Sequence, residues 1–157
     1  MATLSDELVP KTSWGDNLRS RFKPSEWDRL RLACYAAAGH KCEICGGVGR
    51  RHPVECHEIW HYDDEAHVQT LHGLIALCPS CHEVKHFGRT QVTGRRAAAL
   101  AHLARVNGWT KVQASEHVAS AFAVWRERSK YPWTLDISKV EAPAPDVFPS
   151  EGDLFLP

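Results

Sequence analysis

Apolar residues recur at helical spacing in three parts of the chain. In the first part, Ser25 follows Pro24 as a candidate N-cap. The apolar positions that then repeat every three or four residues are Trp27, Leu30, Ala33, Cys34 and Ala37. This spacing predicts a helix over residues 25–39, ending just before the first pair of closely spaced cysteines. Cys34 lies on the apolar face of that helix and is predicted to be a buried core thiol.

The other two predicted helices follow one another in the second half of the chain. They span residues 94–107 and 111–130, and Asn107-Gly108 breaks the helical pattern between them. Thr110 and Gln113 form a capping box at the start of the second helix. A helix pair joined by a tight turn is either ordinary core packing or a helix-turn-helix unit that reads DNA, and both interpretations stay open.

Alternating and continuous apolar runs between these helices predict a β-hairpin. Residues 54–60 alternate as in a strand, residues 71–77 form a second short apolar run, and residues 61–69 are the predicted loop. The acids of that loop, Asp63, Asp64 and Glu65, are interpreted as solvated. Residues 82–87 predict a short helix closed by Gly88.

Together these elements predict an α+β fold in a single domain over residues 1–140. The whole chain of 157 residues has the length of one ordinary domain. Its predicted core covers residues 41–88, flanked by the helices at 25–39 and 94–130. Residues 1–24 predict an irregular arm, and residues 133–140 a short terminal strand or extended clamp.

Charge is balanced overall but unevenly distributed. The 19 basic and 19 acidic residues cancel, yet residues 84–113 contain six cations and no acid. Residues 141–157 carry four acids, four prolines and no base, which predicts an acidic, poorly ordered tail. The basic stripe is either a solvated helix face or a phosphate-binding surface. A neighbouring metal site favours phosphate binding, for which the candidate residues are Lys85, Arg89, Arg95 and Arg96.

Hydropathy and cysteine usage indicate a cytoplasmic protein. No apolar stretch approaches the ~20 residues of a membrane span. The N-terminal residues do not resemble a signal peptide. Six cysteines are present, and four of them form pairs of the metal-binding type, which indicates reduced thiols rather than a disulfide framework.

Those four cysteines predict a structural zinc site. Cys42 and Cys45 are separated by two residues, as are Cys78 and Cys81. Such a gap lets one tight turn present both thiolates, and four thiolates form the closed tetrahedral set that Zn²⁺ prefers. The 32 residues between the pairs contain the predicted hairpin, which would bring the pairs together.

Three histidines predict a second metal site with a catalytic role. His82 and His86 are spaced i, i+4, so on a helix they share one face and can bind one divalent cation. His57 lies on the predicted strand that the zinc site would hold against that helix. A neutral imidazole activates water near pH 7, which makes His57 the candidate general base. Most of the remaining histidines are interpreted as surface or capping residues: His40, His52, His61, His67, His72, His102 and His117.

At residues 41–88 the chain resembles the HNH endonucleases. Cys42-Glu43-Ile44-Cys45-Gly46 is similar to the first knuckle of that family, and Val54-Glu55-Cys56-His57-Glu58-Ile59 is similar to the strand that bears its first histidine. Leu77-Cys78-Pro79-Ser80-Cys81-His82-Glu83-Val84-Lys85-His86 is similar to its zinc-and-metal helix. The resemblance implies a ββα-metal fold, in which a hairpin and a helix surround one catalytic divalent cation.

The resemblance also implies the chemistry. His57 would be the general base, His82 and His86 the ligands of Mg²⁺, Mn²⁺, Ni²⁺ or Zn²⁺, and the reaction the hydrolysis of a DNA phosphodiester that leaves a 5′ phosphate. The DNA is expected to be double-stranded. Two positions depart from the family pattern. The residue before the base is Cys56 rather than Asp or His, which leaves Glu55, Cys56 or Glu58 as the third ligand. Gly73 stands where an Asn usually braces the base loop.

Three alternatives remain at the level of the sequence. In the first, the chain is a catalytically inactive, zinc-stabilised module that binds nucleic acid. In the second, it is an adaptor that uses the helix pair and the acidic tail. Alternatively, His57 is a hydrogen-bonded core residue, and His82 or His86 replaces a cysteine on the structural zinc.

Overall fold

A long β-hairpin forms most of the sheet. In the computed structural model, which describes residues 3–141, strand β1 (Glu55–Asp63) pairs antiparallel with β2 (Val68–Leu77). Strand β3 (Thr134–Asp136) pairs parallel with β2, so the order is β1-β2-β3. The predicted loop at 61–69 is too long, because pairing continues beyond Trp60 to Asp63 and resumes at Val68. Only residues 64–67 make the turn.

Helices account for most of the remaining structure. They are α1 (Leu18–Arg21), α2 (Pro24–Ala37), α3 (Pro79–Lys85), α4 (Phe87–Val92), α5 (Arg96–Asn107), α6 (Lys111–Arg128) and α7 (Ser138–Glu141), with one 3-10 turn at Lys11–Ser13. The fold class is therefore α+β, as the sequence predicts. Within the described part of the chain, no helix is both long enough and apolar enough to cross a bilayer.

The core has two parts because successive residues of β2 point to opposite faces of the sheet. Ile75 and Leu77 pack into a first cluster with α3, α4, α5 and α6, whose largest fully buried side chain is Phe87. Leu74 and Ala76 pack into a second cluster with α2, which contributes Trp27, Leu30 and Cys34. Burial of these three residues confirms most of the apolar face predicted for the first helix, including the core position of Cys34, but Ala33 and Ala37 of that face are exposed.

Two of the helix ends marked in the sequence are confirmed and two are wrong. Gly108 ends α5 with a φ of 66°, and Thr110 caps α6 by accepting a hydrogen bond from the Gln113 N–H. At α2, Pro24 occupies the first turn and Lys23 is the N-cap, so the predicted cap at Ser25 is wrong. Gly88 lies inside α4 and closes no helix, since a new helix begins at Phe87 and buries that ring.

The two ends of the described chain are more ordered than the sequence predicts. The arm, residues 3–23, is mostly irregular but includes the 3-10 turn and α1. The terminal segment 133–140 divides into strand β3 and the start of α7. The acidic tail predicted at 141–157 lies, beyond its first residue, outside the described residues.

Candidate functional site

Four cysteine sulfurs converge between the end of β2 and the start of α3. The sulfurs of Cys42, Cys45, Cys78 and Cys81 all lie within 4.8 Å of one another, and the Sγ atoms of Cys45 and Cys78 are 3.6 Å apart. Cys78 caps α3 and Cys81 lies in its first turn. Four thiols at this separation form a donor set that can hold a metal and suits zinc in particular.

Backbone hydrogen bonds hold the first cysteine pair against the hairpin. The Glu43 N–H donates to the Ala76 carbonyl at 3.0 Å, and the Ala76 N–H donates to the Glu43 carboxylate at 2.7 Å. Gly46, with a φ of 71°, lets the turn close so that its own N–H reaches the Cys42 carbonyl at 2.8 Å. The turn therefore presents both sulfurs toward the end of β2.

Helix α5 adds a histidine to the cysteine cluster. The Arg105 guanidinium donates to Nδ1 of His102 at 2.7 Å, so the ring proton resides on Nε2. That N–H points at the Cys81 sulfur, 3.2 Å away. Such a contact stabilises thiolate charge and orients the ligand. The interpretation of His102 as a surface residue is wrong, because its ring is buried against the cluster.

Three histidines form a second cluster beside the cysteines. His57 comes from β1, His82 from α3, and His86 from the residue that follows α3, and one ring nitrogen of each lies within 4.8 Å of the others. Their ring centroids are 4.6 to 5.4 Å apart. Among residues 3–141, this group and the four cysteines are the sets of three or more donors that could hold an ion. The structure thus brings together the three histidines that the sequence singles out.

Glu55 orients His82 from the neighbouring strand. One of its carboxylate oxygens accepts a hydrogen bond from Nδ1 of His82, and the other lies 2.9 Å from Nε2 of His52. The hydrogen bond from His82 lowers the pKa of Glu55 to about 2. Nε2 of His82 is then the nitrogen left for an ion, a carboxylate–imidazole arrangement common around protein metals. Glu55, a candidate third ligand in the sequence, instead hydrogen-bonds to His82, which is itself a candidate ligand.

Glu7 reaches His57 from the N-terminal arm. Its Oε2 lies 2.8 Å from Nε2 of His57, and its Oε1 accepts the Trp60 N–H at 2.6 Å. Burial raises the pKa of Glu7, but the hydrogen bond from His57, the nearby charges of His57 and Lys85 and the Trp60 N–H together outweigh burial and hold the pKa below its usual value. Burial also lowers the pKa of His57, so a carboxylate faces a neutral imidazole. Sequence analysis missed Glu7, because an acid in an irregular arm has no periodicity or spacing that marks it.

The other two candidate third ligands have different neighbours. Cys56 lies beside Cys34 of α2, and that neighbouring thiol raises the pKa of Cys56. Glu58 accepts the Leu18 N–H at 2.7 Å, and burial raises its pKa to about 7. Neither belongs to the histidine group of mutually close donor atoms.

A cleft of about 870 Å³ opens over the histidines. His57, His82 and His86 are among the residues that line it, and so are Arg19 and Arg89. The ring of His86 is exposed to this space, yet surrounding protein removes enough water to lower its pKa well below the usual value. The cleft is large enough for a nucleotide-sized segment to reach the histidines.

The four cations predicted to bind phosphate occupy different positions around the site. Arg89 lines the cleft, and Lys85 donates to the Ser5 hydroxyl at 3.3 Å. Arg95 pairs with Glu83, with nitrogen–oxygen distances of 2.6 and 3.2 Å. Arg96 donates to Gln91 and lies over the Phe87 ring. Arg89 is therefore the cation of this set that lines the same cleft as the histidines.

The chain matches no family model, no curated protein and no solved structure. Its function must therefore be argued from the geometry of the site.

Proposed function

We propose that the protein is a metal-dependent endonuclease of the HNH type that hydrolyses phosphodiester bonds in double-stranded DNA. The observation that carries the proposal is the convergence of His57, His82 and His86 in the lining of an open cleft, next to a cluster of four cysteines whose Cys81 precedes His82 in α3. The hairpin followed at once by α3 supports the resemblance of residues 41–88 to that family. Zinc on the cysteines would hold these elements together, and the reduced thiols it needs suit the cytoplasm.

The histidine cluster fits a divalent cation. Imidazole nitrogens bind Mn²⁺, Ni²⁺ and Zn²⁺ and leave coordination positions open for water and phosphate, as they also would with Mg²⁺. When bound by His82 and His86, the cation would polarise the phosphate and stabilise the leaving 3′ oxygen. Glu55 keeps the proton of His82 on Nδ1, so that Nε2 is free to ligate.

His57 would take the proton from the attacking water. Burial lowers the pKa of His57, so that its ring is neutral and able to accept a proton at pH 7. Its partner Glu7 engages one ring nitrogen and leaves the other for the water. Arg89 in the cleft would neutralise the phosphate that flanks the scissile bond, while Lys85, Arg95 and Arg96 would contact more distant phosphates. The product would carry a 5′ phosphate.

Plasmid cleavage with a substituted base tests this proposal. His57→Ala is expected to lower the rate of nicking by on the order of 10²- to 10⁴-fold, because the general base is lost. The matched control is His61→Ala, which removes an exposed histidine of the same strand outside the cluster. Each protein is stripped of metal, reloaded with zinc and then assayed with Mg²⁺, Mn²⁺ or Ni²⁺.

Two other outcomes would contradict the proposal in different ways. Zinc retention and salt-dependent DNA binding without cleavage under any cation would indicate an inactive nucleic-acid-binding module. Absence of both cleavage and DNA binding would indicate an adaptor protein. Equal nicking by His57→Ala and His61→Ala would remove His57 from the mechanism.

A further inference from the structure

We propose that Glu7 fixes the tautomer of His57, holding the ring proton on Nε2 and leaving Nδ1 as the nitrogen that accepts a proton. This inference deepens the proposed function, and its second half rests on that function. Glu7 would be a positioning residue for the general base, supplied by a part of the chain 50 positions away.

A backbone donor determines how the Glu7 carboxylate must hydrogen-bond. The Trp60 N–H can only donate, and it occupies Oε1 at 2.6 Å. The second oxygen, Oε2, is an acceptor that lies 2.8 Å from Nε2 of His57. Since an ionised carboxylate has no proton to give, Nε2 must carry one. A neutral imidazole has a single N–H, so Nδ1 is unprotonated.

The arm is anchored well enough to hold this carboxylate in place. The Leu4 N–H donates to Asn107 Oδ1 at 2.8 Å, and Asn107 Nδ2 donates back to the Leu4 carbonyl at 2.7 Å. The Glu7 N–H donates to the Lys85 carbonyl at 3.0 Å, next to the histidine that follows α3. Leu4 itself is fully buried in the first cluster. The arm therefore contacts α5 at Leu4 and α3 at Glu7 itself.

Glu7 also supplies what the HNH pattern lacks in this chain. Gly73 stands where that family usually has an Asn bracing the base loop, and glycine has no side chain to do so. Gly73 pairs with Ile59, two residues beyond His57 on β1. The Glu7 carboxylate contacts both His57 and the Trp60 backbone, so it braces the same stretch of β1. It does so from a segment that precedes β1 in the chain, whereas Gly73 follows β1.

Glu7→Gln is the variant that separates tautomer control from simple packing. Glutamine has nearly the same shape, but only one of its two terminal atoms accepts a hydrogen bond. That oxygen is required by the Trp60 N–H, so the amide NH₂ must face Nε2 of His57. An NH₂ group can only donate, and the ring proton is therefore expected to move to Nδ1.

The measurement is the long-range proton–nitrogen NMR spectrum of the histidine rings in zinc-loaded, uniformly labelled protein. Signals of His57 are assigned by their absence from His57→Ala. The wild type is expected to show His57 protonated at Nε2, and Glu7→Gln to show it protonated at Nδ1. Cleavage by Glu7→Gln is expected to fall by on the order of 10²- to 10⁴-fold with zinc content unchanged.

Asp6→Asn is the matched control, since it alters the neighbouring buried arm carboxylate. Asp6 Oδ1 lies 2.8 Å from Nε2 of His117 on α6, away from the histidine cluster. This variant is expected to leave the His57 tautomer and the cleavage rate unchanged. Equal loss of cleavage in both variants, with no change of tautomer, would show that the arm matters only for docking and would overturn the inference.

Two results separate this inference from the proposed function. A wild-type protein with His57 protonated at Nδ1 overturns the inference whether or not DNA is cut, and this holds even if Glu7→Gln fails to fold. A tautomer switch in a wild-type protein that cleaves nothing would support the assignment of Glu7 while ending the nuclease proposal.

Discussion

Carboxylate–imidazole pairs organise the polar interior of this protein. Glu7 contacts His57, Glu55 contacts His82, and both pairs lie in or beside the same histidine cluster. Each acid occupies one ring nitrogen, so each histidine has one nitrogen left for an ion or a water. The acids thereby determine which nitrogen of each ring can bind an ion or accept a proton from water.

Removal of Glu55 should weaken cation binding without loss of zinc. Glu55→Ala is expected to reduce the affinity of the histidine cluster for Mn²⁺ or Ni²⁺ by about 10- to 100-fold, because His82 loses the group that orients it. Calorimetric titration of the zinc-loaded protein measures this. His52→Ala, which removes the other partner of Glu55, is the control and should bind the cations like the wild type. Identical affinity in both variants would show that Glu55 has no role in cation binding.

The loop between the first cysteine pair and β1 packs closely against the start of α3 at Gly49. Gly49 lies where a Cβ atom would stand 2.2 Å from the His52 carbonyl oxygen and 2.7 Å from the ring of Pro79. Pro79 begins α3, so this close approach connects the loop to the helix that carries His82. A side chain at position 49 must push the loop away from α3.

Gly49→Ala is therefore expected to destabilise the protein by about 1–3 kcal/mol, in the range of overpacked sites. Urea unfolding of the zinc-loaded protein measures the change. Gly88→Ala is a matched control, because its Cβ would meet only Leu8, at 3.9 Å, and the site lies within α4. That substitution should be neutral or stabilising by up to about 1 kcal/mol. A neutral Gly49→Ala would mean that the loop moves freely relative to α3.

Elements with a strong local signal could be predicted, and elements set by tertiary pairing could not. Apolar spacing and the Thr110 capping box mark α2 and α6, because both signals act within one helix. The extension of the hairpin to Asp63 depends on partners across the strands, and the polar composition of that stretch hides it. The local sequence at Gly88 predicts the end of a helix. In the structure the buried Phe87 begins another helix, α4, which contains Gly88.

At the scale of the whole molecule, the cysteine cluster is part of the first hydrophobic cluster. Cys42, Cys78 and Cys81 are buried among Ile44, Leu77 and other residues of that core. Zinc on these sulfurs would cross-link the turn after α2 to the start of α3. Binding of a structural zinc contributes on the order of 10 kcal/mol, comparable to the total stability of a domain.

Loss of zinc is therefore expected to unfold the protein. Cys45→Ala should lose zinc and melt at a much lower temperature, as should the wild type after chelation, with recovery when zinc is returned. Circular dichroism and metal analysis of the same samples measure this. Cys34→Ala is the control, since Cys34 is buried in the second cluster, away from the four clustered cysteines, and this variant should keep its zinc. An unchanged melting temperature after complete removal of metal would contradict a structural role.

The sequence allows the two clusters of the candidate site to be predicted but not the groups around them. Both clusters rest on short spacings, because two residues separate the members of each cysteine pair and three residues separate His82 from His86. The contacts of Glu7 with His57 and of His102 with Cys81 span 50 and 21 positions, and no local pattern encodes them. Glu7 and His102 can be recognised as partners of the site only from the structure, in which the arm and α5 pack against the two clusters.

The docking of the arm also imposes an order of events during protein synthesis. Glu7 leaves the ribosome before the residues that hold its arm, which include Lys85, Asn107 and His117. A nascent chain that ends soon after residue 86 already contains four cysteines and three histidines of the two clusters. It still lacks α5 and α6, against which the arm docks. Full assembly around His57 therefore waits until translation has passed α6.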